Sequence, residues 1–590
     1  MTDERNFEQR SPLEWKRADS LFLTFLLAAT FLCYLPALQY DFVYDDRPLI
    51  LNNPQILSWR FVPSFFAEHF IAPVYPHAPA VYYRPVLLVW MVLNEKIWGM
   101  DPVGWHFTAI ALHLVVVAEV YFLAERLLAG RFPAALAASM VALHPIHVES
   151  VAWVMAMAEP LAASLLIGSL LAYLHIREGP SRRGVWLAGS LVLFTLAILI
   201  KENMLVLPGL ILAYEWFYGS AAGASFRDAP RWQRARASLR CGAPYLVIAC
   251  AYLITRQVVL KGVSHVVTPM PLGTLLATIP SVLGRYFTLL VWPVGLSVFY
   301  DVPYVENLTV TNFILPVAAV VALIGLLGWW GKRSREAAFA AVWMALPFLS
   351  VLNLTVFLKG EIVHDRYLYL PSMGFALLVG IALGRPESAV VRSWRRPRWR
   401  EAVAAVLIGL MGAGTGYYRG FWKNNLTLFE RAVKSAPGNI IAANNFANEL
   451  LDHGRSEEAQ AIYRSVLARD PNYWLAVYNL GYCFYKLGKL EEANRYLERA
   501  IALDPTDSDE FVYLGLTRFK MGRLEEAESL LRHAIALRPE GPGYHFALGM
   551  VLKARAEWSE ALKEFQAELA YHPGETAALG QIKEVESHLR

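Results

Sequence analysis

Cysteine and charge are both scarce in this 590-residue chain. The few cysteines are widely spaced and form no CxxC pair: they are Cys33, Cys241, Cys250 and Cys483. The sequence therefore predicts neither a disulfide framework nor a zinc site. Charged residues make up 18% of the chain, and the formal net charge is only +4. Because the net charge is small and the basic residues cluster in short loops, we expect no nucleic-acid partner.

Hydrophobic residues, by contrast, make up 56% of the chain and are gathered in long runs. This composition is typical of a multi-pass membrane protein, so the lipid bilayer is the first expected partner. A spanning helix needs about 20 apolar residues. About eleven segments approach that length: residues 20–40, 105–127, 132–149, 157–175, 184–200, 203–219, 243–260, 311–330, 337–358, 367–384 and 401–418.

The loops between these segments predict how the chain is oriented. Short loops rich in arginine and lysine stay on the cytoplasmic side. The first segment lacks a convincing cleavage site, so we expect a retained anchor after a cytoplasmic tail, residues 1–19. The alternation holds only if residues 272–296 do not cross, and we predict that this stretch is re-entrant or interfacial. The outer loop 41–103 and the C-terminal region then share the outer side.

The last quarter of the chain repeats with a period of 34 residues. Prolines mark the period: Pro437, Pro471, Pro505, Pro539 and Pro573. Small residues follow the same period: Ala447, Gly481, Gly515 and Gly549. This period, with small residues where two helices touch, is typical of tetratricopeptide (TPR) repeats. We therefore predict an all-α chain, with a transmembrane bundle over residues 20–420 and a TPR solenoid over residues 421–590.

First-helix residues of the repeats are candidates for binding a protein. The candidates are Asn444, Asn448, Tyr478 and Tyr482. Asn444 and Asn448 are four residues apart, on one helix face, where their amides could bind a peptide backbone. For any single position the alternative is ordinary solvated surface. The hypothesis is that the repeats present a flexible protein acceptor to the membrane site.

Asp45 and Asp46 directly follow the first predicted span. Ionised carboxylates at a membrane boundary are unfavourable unless they are solvated, paired or bound to a metal. One interpretation is a solvated turn before Pro48. The other is a general base, alone or with a metal ligand, that acts on a hydroxyl group. These two residues alone leave both interpretations open.

Other polar residues are predicted at the same membrane boundary. His147 and Glu149, in residues 144–150, could bind a divalent metal, although a hydrogen-bonded core histidine is the alternative. Three cations could bind a phosphate at headgroup level: Arg84, Lys201 and Arg366. Each cation could instead be an interfacial anchor, or the partner of a neighbouring carboxylate.

Together these motifs resemble one known family. Residues 42–48, 83–85, 144–149, 201–202 and 365–372, followed by TPR repeats, are similar in sequence and order to the transmembrane and TPR-repeat protein O-mannosyltransferases. The resemblance implies a GT-C glycosyltransferase fold and transfer of a sugar, normally mannose, from a polyprenyl or dolichyl phosphate to Ser or Thr hydroxyls of proteins. The short repeat array suggests a bacterial-type member.

The resemblance also implies roles for the site residues. Asp46 is favoured as the base, with Asp45 positioning it or binding metal, and Glu149 with His147 completes the site. Arg84, Lys201 and Arg366 would offset the phosphate charge. A divalent metal, Mg²⁺ or Mn²⁺, is a possible cofactor. The alternative is that no metal is needed, because cationic side chains can supply the same stabilisation.

Two other functions remain open on the sequence alone. One is a non-enzymatic membrane scaffold, in which the repeats assemble an envelope complex. The other keeps the glycosyltransferase chemistry but uses a glycan or lipid acceptor. We expect the bacterial inner membrane with the repeats outside, and the endoplasmic reticulum with luminal repeats is the alternative.

Overall fold

The computed structural model describes residues 17–72, 74, 82–128, 130–179, 181–219, 230–262, 266–358, 360–384 and 399–589. Over these residues the chain forms helices, turns and loops without a β-strand, which confirms the all-α fold class. It divides into two compact units, Met1–Ser435 and Ala436–Arg590. The helix Asn425–Ser435, expected in the repeat domain, is part of the first unit. Most of the predicted tail 1–19 lies outside the described residues.

Long apolar runs form the helices of the first unit, because a helix satisfies its own backbone hydrogen bonds where water is absent. These helices are Arg17–Tyr34, Pro85–Trp98, Pro102–Leu128, Arg131–Leu143, Ala158–Arg177, Arg183–Ile200, Leu207–Tyr218, Arg231–Leu260, Leu272–Val291, Leu315–Gly331, Arg335–Ala345, Tyr369–Leu383 and Trp399–Arg419. Shorter helices are Val62–Phe65, Val148–Ala152 and Asn425–Ser435. The chain is a multi-pass membrane protein.

Fewer helices are suited to crossing the membrane than the sequence suggested. Among the described residues, 8 helices are long and apolar enough, or 9 if Arg131–Leu143 and Pro145–Ala152, bent by 46°, form one span. Three predicted spans are not among them. Two form helices of only 12 and 11 residues, Leu207–Tyr218 and Arg335–Ala345. The third, Trp399–Arg419, is long enough but carries charged, glycine and tyrosine residues that lower its hydropathy.

The stretch predicted to be re-entrant forms a continuous helix. Leu272–Val291 has 20 residues and is long and apolar enough to cross a bilayer. Its length therefore gives no support to the re-entrant interpretation. The positive-inside rule does not predict the length of this helix, since it uses only the charges of the loops on either side.

Breaks between helices hold the polar motifs. Pro85 is the first residue of the helix Pro85–Trp98, directly after Arg84, and Pro145 separates Arg131–Leu143 from Val148–Ala152. Proline lacks a backbone N–H and is favoured at the first position of a helix, where that N–H would have no partner within the helix. Lys201 likewise follows the last residue of Arg183–Ile200. The motif cations therefore lie at helix ends rather than within the apolar spans.

The second unit contains the predicted TPR repeats. Its helices are Ile440–Asp452, Ser456–Arg469, Trp474–Lys486, Leu490–Leu503, Ser508–Lys520, Leu524–Leu537, Tyr544–Ala554, Trp558–Tyr571 and Thr576–Leu589. Helices that end at Arg469, Leu503, Leu537 and Tyr571 each stop just before a periodic proline. This agrees with the prediction, because a residue that precedes proline disfavours the helical conformation.

Small residues at the period permit close contact between the two helices of a repeat. A Cβ atom added to Gly481 would lie 2.9 Å from the Cγ atom of Leu497, and one added to Gly515 would lie 2.9 Å from that of Leu531. Leu480, Leu514 and Leu548, which repeat with the same period, are buried. Phe446, the equivalent residue of the first repeat, is only half-buried, so the array core is less complete there.

Candidate active site

Asp45 and Asp46 lie in a short loop after the first helix, and their carboxylates have different surroundings. Asp46 is fully buried. Its two oxygens accept hydrogen bonds from the backbone amides of Val43, at 3.0 Å, and Met155, at 2.8 Å. Asp45 is only partly buried. The structure thus leaves one carboxylate of the pair accessible and uses the other to fix the backbone.

Burial raises the pKa of both carboxyl groups. The pKa of Asp45 rises to about 6, against a lowering effect of the Arg366 charge. The pKa of Asp46 rises to about 8, because the loss of hydration outweighs its hydrogen bonds from the amides of Val43 and Met155. At neutral pH Asp45 is therefore mostly ionised, as a general base must be.

Tyr44, the residue before this pair, has a left-handed backbone. Its φ angle is +53°, which is unusual for a residue with a bulky side chain. Its amide donates a hydrogen bond to Asn425 Oδ1 at 2.7 Å, and its hydroxyl donates to Glu361 Oε1 at 3.2 Å. Its ring packs against Trp153, Phe299 and Phe429, with centroid distances of 5.6, 5.9 and 5.8 Å. These contacts hold the loop in this conformation.

Each of the three predicted phosphate-binding cations is paired with a carboxylate. Arg84 donates from Nε and Nη2 to the two oxygens of Glu202, at 3.0 and 2.7 Å. Lys201 pairs with the fully buried Glu159. Arg366 pairs with Glu149, whose Oε2 atom also accepts the amide of Arg366 at 3.1 Å. The alternative left open by the sequence, that these cations are partners of carboxylates, is thus realised for all three.

The rings of two tyrosines lie close to these cations. The ring of Tyr367 has Lys201 Nζ at 5.7 Å and the guanidinium carbon of Arg366 at 5.1 Å from its centroid. The guanidinium carbon of Arg84 lies 4.3 Å from the centroid of Tyr82. Such distances permit cation–π attraction. The charges of Arg84 and Arg366 both act on Lys201, so the three cations share one neighbourhood, although they come from distant parts of the sequence.

The charges of this neighbourhood affect the pKa values of their partners. Burial lowers the pKa of Lys201, Glu159 opposes this change, and the charge of Arg84 adds to it. The pKa of Glu202 falls to about 2, because the charge of Arg84 and its two hydrogen bonds outweigh burial. The Arg84–Glu202 pair is therefore ionised throughout the physiological range.

Glu361 is a site residue that the sequence did not reveal. It lies in the loop before the motif of residues 364–372, accepts the Tyr44 hydroxyl, and is close enough to Asp45 for their charges to interact. Burial and the Asp45 charge raise the pKa of Glu361 to about 7. Its loop has no periodic pattern, so only its position four residues before Asp365 could have indicated it.

His147 and Glu149, the predicted metal ligands, have other partners in the structure. His147 Nε2 is 3.2 Å from Ser372 Oγ, and its ring packs edge-on against Tyr369 at 4.7 Å. The Glu149 carboxylate is occupied by Arg366. Within the described part of the chain, no group of three or more His, Cys, Asp or Glu side chains is arranged to hold a metal ion. These two residues, as placed, do not fit a shared metal site.

The candidate residues of the repeats also separate into two groups. Asn444 is buried, and its Oδ1 atom accepts a hydrogen bond from Asn479 at 3.1 Å. Asn448 Oδ1 accepts the Tyr463 hydroxyl at 2.5 Å. Both amide oxygens thus take part in hydrogen bonds within the array, and peptide binding by these two residues stays a prediction.

The tyrosine candidates, by contrast, are partly exposed and adjacent. The rings of Tyr478 and Tyr482 stack with centroids 6.5 Å apart, and Tyr513 lies 4.6 Å from Tyr482. Lys520 Nζ lies 4.0 Å from the ring centroid of Tyr485. The first helices of two successive repeats thus form an aromatic surface with lysine at one end. Tyr513 extends this surface beyond the residues that the sequence indicated.

Comparison with known proteins supports both parts of the motif pattern. The tetratricopeptide repeat family matches residues 444–508 and 514–579. Over 501 residues the chain is 28% identical to the human protein O-mannosyl-transferase TMTC1. This alignment covers 77% of this chain and 56% of the relative. The relatives are protein O-mannosyl-transferases. The resemblance predicted from the motifs is confirmed.

Other relatives carry the same name. The mouse protein O-mannosyl-transferase TMTC3 is 27% identical, over 76% of this chain and 51% of its own length. The Drosophila melanogaster protein O-mannosyl-transferase Tmtc1 is 27% identical, over 77% and 62%. The chain thus spans between half and two thirds of the length of these relatives.

The solved structures similar to part of this chain include two TPR proteins. YrrB, described as a TPR protein with an unusual peptide-binding site, is 26% identical, covers 27% of this chain and 82% of its own, and has a TM-score of 0.24. The thermophilic TPR protein TTC0263 of Thermus thermophilus is 24% identical, with coverages of 31% and 95% and a TM-score of 0.26.

Proposed function

We propose that this protein is a membrane glycosyltransferase that moves mannose from a polyprenyl-phosphate donor to Ser or Thr hydroxyls of proteins. One observation carries the proposal: a partly exposed carboxylate, Asp45, lies near Arg366, which shares a neighbourhood with Arg84 and Lys201. A base beside a cluster of cations suits a reaction in which a hydroxyl loses a proton while a phosphate gains charge. The names of the relatives support the same reaction.

Asp45 is the base in this proposal. The acceptor oxygen attacks the anomeric carbon, the bond from that carbon to the phosphate oxygen breaks, and its electron pair leaves with the phosphate. The hydroxyl proton passes to Asp45. This assignment differs from the sequence-based expectation, which favoured Asp46. Both oxygens of Asp46 accept backbone hydrogen bonds, so its carboxylate is less available to a substrate.

Arg84, Lys201 and Arg366 bind the donor phosphate in this proposal. Their carboxylate partners fix the three cations before the donor binds, so little reorganisation is needed when charge develops on the phosphate. Tyr82 and Tyr367 lie against the same cations. Arginine offers several N–H donors in a planar fork, which suits phosphate oxygens.

A divalent metal, Mg²⁺ or Mn²⁺, would add stabilisation to the leaving phosphate. His147 and Glu149 do not fit a shared site for it, and no step above depends on one. Treatment with a chelator tests metal dependence directly.

The TPR unit recruits the protein acceptor through Tyr478, Tyr482 and Tyr513. Aromatic side chains offer large, rigid contact surfaces to extended peptides. We place the active site and the repeats on the outer side of a bacterial inner membrane, or on the luminal side of the endoplasmic reticulum. Cysteine substitutions labelled with a membrane-impermeant maleimide test this orientation.

The decisive experiment measures transfer of radiolabelled mannose from polyprenyl-phosphate mannose to a Ser/Thr-containing protein. Purified full-length wild type and Asp45→Asn are compared in lipid nanodiscs, with and without chelator. We expect labelled protein with wild type and a loss of label with Asp45→Asn. Label on lipid or glycan alone would indicate the other acceptor class. No transfer by folded wild type would favour the scaffold function.

A further inference from the structure

The left-handed conformation of Tyr44 requires an explanation that its own sequence does not give. A bulky L-residue with φ of +53° is disfavoured relative to the right-handed region. Such conformations persist only where surrounding contacts hold them, and they cluster at functional sites. Tyr44 directly precedes Asp45, so its backbone angles decide where the Asp45 carboxylate points.

Contacts from four separate parts of the chain hold Tyr44. Its amide binds Asn425 and its hydroxyl binds Glu361. Trp153, Phe299 and Phe429 surround its ring. Of these contacts, only the hydrogen bond from the Tyr44 hydroxyl reaches a titratable side chain, Glu361. Removing the hydroxyl would leave the aromatic packing intact and release only the bond to Glu361.

We propose that Tyr44 and Glu361 form a latch that fixes the backbone at Asp45, and that both are positioning residues for the transfer reaction. This inference rests on the proposed function. Neither side chain needs to contact the substrate. The hydrogen bond to Glu361 fixes Tyr44, and Tyr44 in turn fixes the backbone of the next residue, Asp45. Glu361 also places a second carboxyl group near Asp45.

The second carboxyl group adds an electrostatic effect. When Glu361 is ionised, its charge favours the protonated form of Asp45, so Asp45 accepts a proton more readily. Burial and the Asp45 charge together hold the pKa of Glu361 at about 7. The charged or titratable groups that face the two carboxyl groups are Arg366, Asp46, Tyr44 and Tyr82.

The test compares wild type, Tyr44→Phe, Glu361→Leu and their double variant, all full-length in nanodiscs. Leucine is used because a glutamine at position 361 would keep an oxygen that accepts the Tyr44 hydroxyl. We expect each single change to lower kcat by about tenfold, with little change in KM for the donor, because the base is displaced but the phosphate site is intact. The double variant should be no worse than Glu361→Leu, since both changes remove the same bond. Losses that multiply in the double variant would overturn the latch.

The pH profile separates positioning from a merely structural role. Glu361, with a pKa of about 7, is mostly protonated near pH 6, so Glu361→Gln should leave the acid limb of kcat/KM near pH 6. Above about pH 7 the ionised Glu361 of wild type makes Asp45 a stronger base, so kcat/KM should rise a second time, and this second rise should be absent in Glu361→Gln. Tyr44→Phe keeps the ionisable carboxyl group and should keep the second rise. A second rise that persists in Glu361→Gln would overturn the electrostatic part of the proposal.

Tyr173→Phe is the matched control. The Tyr173 hydroxyl also donates to a buried carboxylate, Glu215 Oε1, at 2.6 Å. Tyr173 lies 14 residues after Glu159 on the same helix, or about 21 Å along it, so kcat should be unchanged. Tyr44→Phe loses a single oxygen atom and keeps the test open if Glu361→Leu does not fold. An unchanged kcat in folded Tyr44→Phe overturns the latch. No transfer by wild type would overturn the proposed function as well.

Discussion

The carboxylate of Asp46 accepts a hydrogen bond from the amide of Met155, 109 residues further along the chain, at 2.8 Å. This bond joins the loop after the first helix to the start of the segment Met155–Arg177. With the bond from Val43, it occupies both oxygens of a fully buried side chain. Asp46 therefore stabilises the loop that carries Asp45.

We expect Asp46→Asn to destabilise the protein. An asparagine keeps one acceptor oxygen, and its amino group would face a backbone N–H donor. The loss of one buried hydrogen bond and the unsatisfied group that remains cost about 1–3 kcal/mol. Thermal unfolding followed by size-exclusion chromatography measures the change. If Asp46→Asn were as stable as wild type yet inactive, Asp46 would be the base after all.

Asp45→Asn should lower mannose transfer without destabilising the protein. Burial of the ionised Asp45 carboxylate opposes folding at neutral pH, so we expect an unfolding temperature no lower than that of wild type. Mannose transfer should fall by about 10²–10⁴, the usual contribution of a general base. Donor binding, measured by retention of labelled donor, should persist. Transfer that stays within a few fold of wild type would exclude Asp45 as the base.

Transfer should depend on pH through the ionisation of Asp45. Burial raises the pKa of this carboxyl group to about 6, and only the ionised form can take a proton. The rate should therefore rise from pH 5 to pH 7, with half of its maximum near pH 6. Initial rates of wild type over this range measure the profile, and a flat profile would contradict the assignment.

Arg84→Lys should weaken donor binding. A lysine provides a point charge and cannot form the two-point contact that Arg84 makes with Glu202 at 2.7 and 3.0 Å. We expect KM for the donor to rise about tenfold, equivalent to about 1.4 kcal/mol. Arg126→Lys is the control, because Arg126 forms an exposed pair with Glu178. Equal effects of the two changes would rule out a donor-specific role for Arg84.

Tyr482→Ala should impair the modification of whole proteins but not of short peptides. The change removes the ring between Tyr478 and Tyr513 on the aromatic surface. We expect KM for a protein acceptor to rise about tenfold, within the range of an aromatic anchor residue. Tyr571→Ala, at an exposed position of the same unit, is the control. A similar loss with a short peptide would show that the repeats do more than recruit.

Glu510→Ala should stabilise the TPR unit at high pH. Glu510 is fully buried and, among the described residues, neither of its carboxylate oxygens has a hydrogen-bond partner. The equivalent residues one and two repeats earlier are Ala476 and Ala442, both fully buried. Burial raises the pKa of Glu510 to about 8. Wild-type stability should therefore be greatest below the unfolded pKa of about 4.5 and should fall as the pH rises towards 8.

Unfolding of wild type and Glu510→Ala is compared at pH 5 and pH 9. The variant should gain stability relative to wild type mainly at pH 9. Hydrogen exchange of the helix Ser508–Lys520, measured in the full-length protein, reports the local stability of the TPR unit. An equal difference at both pH values would show that Glu510 does not titrate in this range.

The repeat unit was predicted well because its signal is local and periodic. Pro471 and Pro505 mark helix ends, and Gly481 and Gly515 mark close helix contacts, wherever the unit lies in the molecule. The local pattern does not show which side chains are bound by residues of a neighbouring repeat or helix. Asn444 is an example, since Asn479 from the next repeat donates a hydrogen bond to its amide oxygen.

The sequence alone determined the membrane class, the TPR period and the set of polar residues, because composition, spacing and residue type are properties of the chain itself. Tertiary structure alone decided which carboxylate is accessible, which acid pairs with each cation, and that Glu361 joins the site. Asp45 and Asp46 have the same chemistry and adjacent positions. Only contacts with Met155 and Arg366, far along the chain, give the two carboxylates different environments.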